Sequence, residues 1–438
     1  MDLDQDLRAA LRGVLDAVEN ASPVQAVEAA TRGLGVALGA LSVSFLIADL
    51  SGRALVRLSY VAAPGGARTG GPDDDGVAAV GGGSRRDMRE LADMEPLDGG
   101  PSERALRTQV VQVLPPRIAT AGDRPSGDGW TVLAPVTERG EALGLLELVL
   151  PADPSAAEVA EIARTAHLLG FVVVASRRHT DLYEWAQRST PYSLSAEIQR
   201  RLLPPGFTCE AGSFTLSAWL EPSASVGGDT YDYSLARDVL HLSMTDAMGH
   251  GVASALTATL CVGSLRNARR QGLSLPEQAA TANDALYTHY AEVSAEGFCT
   301  GLLGRLNLTT GDLELVNAGH AAPYLVRGGI VVDVDLPPSI PFGLFPETDY
   351  ATTVLPLRAG DRLVLVTDGM LERNAEDLDL PALIAATADV HPREATRALT
   401  DLLLEATGQA LADDATLLIL DWHARHGVDR DTKAGARV

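Results

Sequence analysis

The chain has 438 residues, enough for two or three domains that each bury a core of their own. With 46% hydrophobic and 21% charged residues it has the composition of a globular protein, not a disordered one. A formal net charge of -23 argues against nucleic acid or an anionic membrane as the main partner. Cys209, Cys261 and Cys299 lack metal-ligand spacing, so a reduced, cytoplasmic setting is expected. No basic-then-apolar leader is read at the first residues. The apolar stretch from Ala166 to Ala175 is shorter than the roughly 20 residues a bilayer requires.

In chain order, helical periodicity opens the segment 1–152 and gives way to strands. Leu41, Val43, Phe45 and Ile47 alternate with small or polar residues, and a turn at Asp49 to Arg53 leads into Ala54 to Leu58. A stretch rich in Gly, Ala and Asp, from Pro64 to Gly83, reads as a loop. Strand patterning returns at Trp130 to Val136, and the turn Arg139-Gly140-Glu141 leads into Ala142 to Leu150. This layout of helix, antiparallel strands, variable loop and closing hairpin resembles a GAF domain, which implies a sensory module with a small-molecule ligand. Asp153-Pro154-Ser155 starts a helix expected to run to about Arg188, within a linker spanning 153–190. Val159, Ile162, Ala166, Leu169, Val173 and Ser176 recur at spacings of three and four. That pattern reads as a coiled-coil seam joining a homodimer, with a helix packed on its own sheet as the lesser alternative. A short helix follows, with Leu194, Ile198 and Leu202 on one face and a stop at Pro204-Pro205.

From about Phe214 to Asp421 strands and helices alternate, which predicts an α+β sandwich over 191–424, followed by a polar tail at 425–438. Within it stand four aspartates in glycine- or Asp-marked turns. Asp229 lies in Val226-Gly227-Gly228-Asp229-Thr230-Tyr231-Asp232, and Asp246 in Asp246-Ala247-Met248-Gly249-His250-Gly251. Asp368 lies in Thr367-Asp368-Gly369, and Asp413 in Asp413-Asp414-Ala415-Thr416. Asp246 and Asp368 each follow an apolar strand and Asp413 precedes one, so strand ends can gather them. Hard divalent cations take oxygen ligands, and two such cations held by several carboxylates can activate water for hydrolysis. Any one Asp-Gly pair is more often a surface turn; the ordered set points to a two-metal hydrolase.

These motifs, together with Ile198-Gln199-Arg200-Arg201-Leu202-Leu203-Pro204, Asn317-Ala318-Gly319-His320 and Glu372 three residues beyond Gly369, carry a resemblance. The region from about Ser195 to Trp422 resembles the metal-dependent serine/threonine phosphatases of the PPM family, in the bacterial branch typified by the sporulation stage II E and Rsb phosphatases. The resemblance implies an αββα sandwich and two Mn2+ or Mg2+ ions. It assigns Asp229, Asp246, Asp368 and Asp413 as metal ligands that act through metal-bound water, with the carbonyl of Ala247 also facing a metal. Asp232, Asp414 and His320 become supporting residues, and the choice between Asp413 and Asp414 as ligand stays open. For His320 and His250, bracing of a tight turn outweighs general-acid catalysis. No arginine stands beside Asp229 or Asp246 to grip a phosphate. The implied substrate is a phosphorylated anti-anti-sigma protein of the STAS type. A catalytically silent phosphoprotein-binding module and a nucleotide cyclase are the rival readings.

Overall fold

The structure, a computed structural model, describes residues 16–49, 52–62, 94–116, 129–187, 193–223, 227–337, 339–371, 379–408, 411 and 413–424. The Gly-rich stretch from Pro64 to Gly83, the tail from 425 and Glu372 lie outside the described residues. The chain forms two units, one through residue 191 and the other spanning residues 192 to 429.

In the first unit the alternating apolar residues become β1 (Ser42–Ala48), in which Val43, Phe45 and Ile47 are buried on one face and Leu46 on the other. It pairs with β2 (Ala54–Ala62) and β6 (Glu141–Leu150). With β3 (Met94–Pro96), β4 (Gln112–Leu114) and β5 (Trp130–Glu138) these make a six-stranded antiparallel sheet of order β3-β2-β1-β6-β5-β4. Helices α1 (Ala26–Leu38) and α3 (Ala156–Ser176) supply Leu34, Ile162 and Leu169 to the core on one face. On the other face α2 (Pro101–Thr108) supplies Ala105 and Leu106.

Helix α3 begins where the sequence predicts. The Ser155 hydroxyl accepts from the Glu158 amide, and the Glu158 carboxylate accepts in return from the Ser155 amide at 2.8 Å. Its course differs from the coiled-coil expectation. Ile162, Ala166, Leu169 and Val173 lie in the core of the first unit, packed with strand residues. A 3-4 spacing describes a helix stripe against a sheet as well as a seam between two helices, and here the sheet takes it. The helix ends at Ser176, and the short α4 (Leu182–Ala186) follows.

The second unit has two antiparallel sheets face to face. One is ordered β15-β12-β11-β10-β9: Thr353–Pro356, Asp312–Ala318, Cys299–Asn307, Val239–Ala247 and Thr230–Leu235. The other is ordered β14-β13-β16-β17-β8-β7: Ile330–Asp333, Tyr324–Arg327, Arg362–Val366, Ala415–Trp422, Phe214–Glu221 and Thr208–Glu210. Between them Leu240, Leu242, Met244, Leu302 and Leu315 meet Phe214, Leu216, Leu363, Leu365, Leu418 and Leu420. Truncating one of these, such as Leu242→Ala, costs about 2–5 kcal/mol. Helices α6 (Gly251–Arg270) and α7 (Leu275–Val293) cover the outer face of the first sheet through Ala258, Cys261, Leu265 and Leu286. Helices α8 (Leu380–Ala386) and α9 (Pro392–Ala406) cover the second through Ile384, Leu399 and Leu403. The expected αββα sandwich is present.

Helix α5 (Leu194–Leu202) begins this unit, capped by the Ser193 hydroxyl, which accepts from the Ala196 amide. Its buried residues are Ser195, Gln199 and Leu202, while Leu194 is 65% exposed. The expected face of Leu194, Ile198 and Leu202 is therefore rotated. Gln199 points inward because it meets polar groups there.

Candidate active site

The four aspartate motifs converge at one end of the sandwich. Asp229 immediately precedes β9 and Asp246 lies near the end of β10; the register Thr245↔Thr230 sets the two side by side. Asp368 begins a single 3-10 turn after β16, and Asp413 and Asp414 immediately precede β17. The Thr367 amide donates to the Thr416 carbonyl, which joins these last two turns.

Close backbone approach locks the motifs together. A Cβ on Gly227 would lie 2.7 Å from Asp413 Oδ1 and 3.1 Å from Asp414 Oδ2. One on Gly369 would lie 2.0 Å from the Asp414 carbonyl oxygen. The second contact is with backbone, so only glycine permits it, and a side chain at Gly227 would displace the two carboxylates. The Ala247 amide donates to the Gly228 carbonyl at 3.3 Å, and the Ala247 carbonyl lies against Gly228.

Two of the carboxylates are held from several sides. Asp229 is buried, and its Oδ2 accepts from Thr367 Oγ1 at 2.7 Å and Thr416 Oγ1 at 2.5 Å. Asp414, also buried, accepts at Oδ2 from Gln199 Nε2 at 2.5 Å and at Oδ1 from the Ser223 amide at 2.8 Å. The same Gln199 amide donates to the Asp229 carbonyl at 2.9 Å, so α5 is tied to both strand ends. Asp413 is half-buried, and its Oδ1 accepts from the Asp414 amide. Asp368 is exposed.

The electrostatics report an excess of negative charge. Burial, then the charges of Asp246 and Asp414, raise the Asp229 carboxyl well above its usual range, and the two threonine hydroxyls oppose this only in part. Burial and the charges of Asp368, Asp413 and Asp414 push Asp246 up to about 7. Burial foremost also raises Asp413, against which the backbone hydrogen bond and nearby His250 pull downward. Among the described residues no lysine or arginine acts on these three groups. Among the described residues no three His, Cys, Asp or Glu side chains stand close enough together to enclose an ion. The donor set nonetheless fits hard divalent cations, because it is all oxygen and its buried charge lacks a partner.

Two expected supporting residues do other work. Asp232 stands three residues from Asp229, and strand alternation turns it to the opposite face of the sheet. There it meets Arg266 and Arg269 of α6, each at 2.9 Å, and Arg266 also donates to the Leu202 carbonyl at the end of α5. Asp232 thus fastens α5, α6 and β9, and its assignment as a support of the carboxylate cluster is corrected. His320 closes the Asn317 turn: Asn317 Oδ1 accepts from the His320 amide at 2.7 Å, and Asn317 Nδ2 donates to the His320 carbonyl at 3.0 Å. Its ring shares a hydrogen bond with Thr300, the residue paired with Asp246 across β10 and β11. Burial lowers its pKa to about 4, so it stays neutral near physiological pH. The Val366 carbonyl lies near enough to raise that value slightly, although Nε2 completes no hydrogen bond. The ring therefore braces the turn.

Gln199, Ser223, Thr367 and Thr416 are the residues the sequence did not assign. Both threonines stand inside quoted motifs, each one position from a motif aspartate or one beyond its neighbour, and that placement was the available signal.

A sandwich with carboxylates converging at one end of its paired sheets can hold the divalent ions of a phosphate-ester hydrolase. Residues 236–423, within the second unit, match the family described as Stage II sporulation protein E (SpoIIE), which marks that unit as a PP2C-type serine/threonine phosphatase domain. The chain is 23% identical over 234 residues to the phosphoserine phosphatase RsbU of Bacillus subtilis (strain 168), covering 52% of this chain and 68% of that protein. It is 24% identical over 162 residues to the phosphoserine phosphatase RsbP of the same organism, covering 36% and 40% respectively. A crystal structure of the RsbU and RsbW domains of Rv1364c from Mycobacterium tuberculosis aligns with 53% of this chain and 64% of that one. The alignment has 25% identity and a TM-score of 0.44.

Proposed function

We propose that the chain is a signalling phosphatase that removes phosphate from serine or threonine of an anti-anti-sigma protein of the STAS type, under control of its first unit. The observation that carries the hydrolytic reading is the convergence of five aspartates, of which Asp229, Asp246 and Asp413 have no lysine or arginine acting on them among the described residues. Asp229, Asp246, Asp368 and Asp413 would hold two Mn2+ or Mg2+ ions, with the Ala247 carbonyl as a further donor. Bound there, divalent ions supply charge neutralisation for the phosphate and acidify water. The chain's own residues set the geometry. Thr367 and Thr416 fix the rotamer of Asp229, while Gln199 and the Ser223 amide fix Asp414. Donors on both oxygens of Asp414 support its role as a positioning residue and leave Asp413 as the ligand of the pair. Phosphate binding rests on metal charge and backbone groups, without an arginine clamp.

The sheet order of the first unit supports the GAF-like reading, and Gln199 supplies a physical path by which α5 bears on the carboxylates. With the expected seam buried, Leu168, Phe171 and Val174 on the solvent side of α3 support self-association instead. The relatives named RsbU and RsbP are phosphoserine phosphatases, which supports the substrate class. The test compares the wild type with Asp246→Asn for Mn2+-dependent hydrolysis of p-nitrophenyl phosphate and of a phosphorylated STAS-domain protein. Both activities are expected to disappear while the melting transition persists; equal turnover by the variant refutes the reading. Removal of residues 1–190 tests control, since unchanged manganese affinity and turnover would exclude it.

A further inference from the structure

Helix α6 leaves the catalytic end of the sandwich with an unusual surface. From Ala247 to Leu265 the sequence holds no Asp, Glu, Lys or Arg, in a chain where 21% of residues are charged. The inward side of this stretch is core: Ala255, Ala258, Cys261, Val262 and Leu265 are buried. The outward side is apolar as well. Met248, Val252 and Leu256 are 44%, 43% and 56% exposed, at successive intervals of four residues. Val252 and Leu256 therefore stand one above the other on one helix face, and exposed Met248 lies in the turn before the helix, two residues from Asp246. Exposed Ala253 and Thr259 flank the ridge without adding charge. The first charged side chains on the helix, Arg266 and Arg269, are engaged with Asp232.

We infer that this ridge is the docking surface for the body of the phosphoprotein substrate, placing its phosphorylated residue over the carboxylates. The inference rests on the phosphatase reading above and adds the surface that selects a protein over a small phosphate ester. Two observations single out this occupant. The ridge is continuous with the motif that bears Asp246, so whatever covers it stands beside the reaction. It also carries no Asp, Glu, Lys or Arg, so it offers apolar contact to the body of a protein and no charged grip for a phosphate. Patches of this kind on otherwise polar surfaces mark interaction sites. A small ester needs only the carboxylate end and makes no use of the helix.

The test is the double variant Val252→Glu/Leu256→Glu in the full chain with Mn2+, with Leu256→Met as the conservative control. The probes are a phosphoserine-bearing STAS-domain protein that the wild type dephosphorylates, and p-nitrophenyl phosphate. Expected is a rise of about tenfold or more in KM for the phosphoprotein, equal to about 1.4 kcal/mol of binding. Its kcat, all constants for p-nitrophenyl phosphate and the mass in solution stay unchanged, and Leu256→Met behaves as wild type. An unchanged KM for the phosphoprotein overturns the inference. So does a parallel loss of p-nitrophenyl phosphate turnover, or a change in oligomeric state, which would make the ridge a surface for the chain itself. A wild type inactive on both probes refutes the phosphatase reading, and this inference falls with it.

Discussion

Gln199 is the residue on which α5 and the carboxylate cluster depend together, and replacing it tests the construction of the site. In Gln199→Leu the volume is nearly kept, but Asp414 Oδ2 loses a donor at 2.5 Å and the Asp229 carbonyl one at 2.9 Å. A hydrogen bond to a buried charged group contributes about 1.5–3 kcal/mol and a neutral one about 1 kcal/mol, so the expected loss is about 2–4 kcal/mol. With a urea dependence of about 3 kcal/mol per molar, the unfolding midpoint of the second unit drops by about 1 M. Fluorescence of Trp219 and Trp422 reports that transition in a background where Trp130 and Trp185 are phenylalanine. Manganese affinity falls alongside, because Asp414 is no longer oriented from α5. Arg201→Ala on the same helix is the contrast. Its pairing with Glu197 is solvent-exposed, and losing it changes stability by no more than about 0.5 kcal/mol. A midpoint for Gln199→Leu that coincides with that of Arg201→Ala would refute the account of α5 as part of the site.

Two further outcomes follow from the same geometry. Asp232→Asn breaks a largely buried pairing with Arg266 and Arg269, so stability falls by about 3 kcal/mol while manganese affinity of the folded protein is kept; a tenfold loss of affinity at unchanged stability would return Asp232 to the carboxylate cluster. For His320, the folded-state pKa of about 4 lies below its ordinary 6.5, so the unfolded chain takes up a proton that the folded one refuses. The corresponding stability, about 3 kcal/mol, is present above pH 6.5 and lost as pH falls from 6.5 towards 4. His320→Gln should flatten that decline in urea midpoints measured at pH 7.5, 6 and 5, and an identical slope in both proteins would contradict the burial argument.

What could be read from the sequence was local. Strands β10, β16 and β17 are short apolar runs that end or begin at an aspartate, so both strand and carboxylate show in one string of residues. The sandwich follows from their number and mixture with helices. What could not be read depended on rotation or on distance. The spacing of Leu194, Ile198 and Leu202 predicts an apolar buried face for α5, yet the cluster it meets is polar, and Gln199 turns inward instead. The heptad-like spacing in α3 does not distinguish a sheet from a second helix as its neighbour. Asp232 looked like its neighbour Asp229 until strand alternation set them on opposite faces. The hydrogen bond of Thr416 to Asp229 links residues 187 positions apart, beyond any local pattern.

The place of β17 has a consequence for how the protein comes into being. Although it is the final described strand, it lies in the interior of its sheet, between β16 and β8, the second strand of that sheet in chain order. Until it inserts, β8 and β16 have bare edges towards one another, and Asp413, Asp414 and Thr416 are absent from the cluster. A ribosome-bound chain can therefore complete its first unit while the second remains open, and no molecule synthesised only as far as β16 carries an assembled set of carboxylates. Closure of the sheet and completion of the carboxylate set are one event, brought about by the insertion of β17.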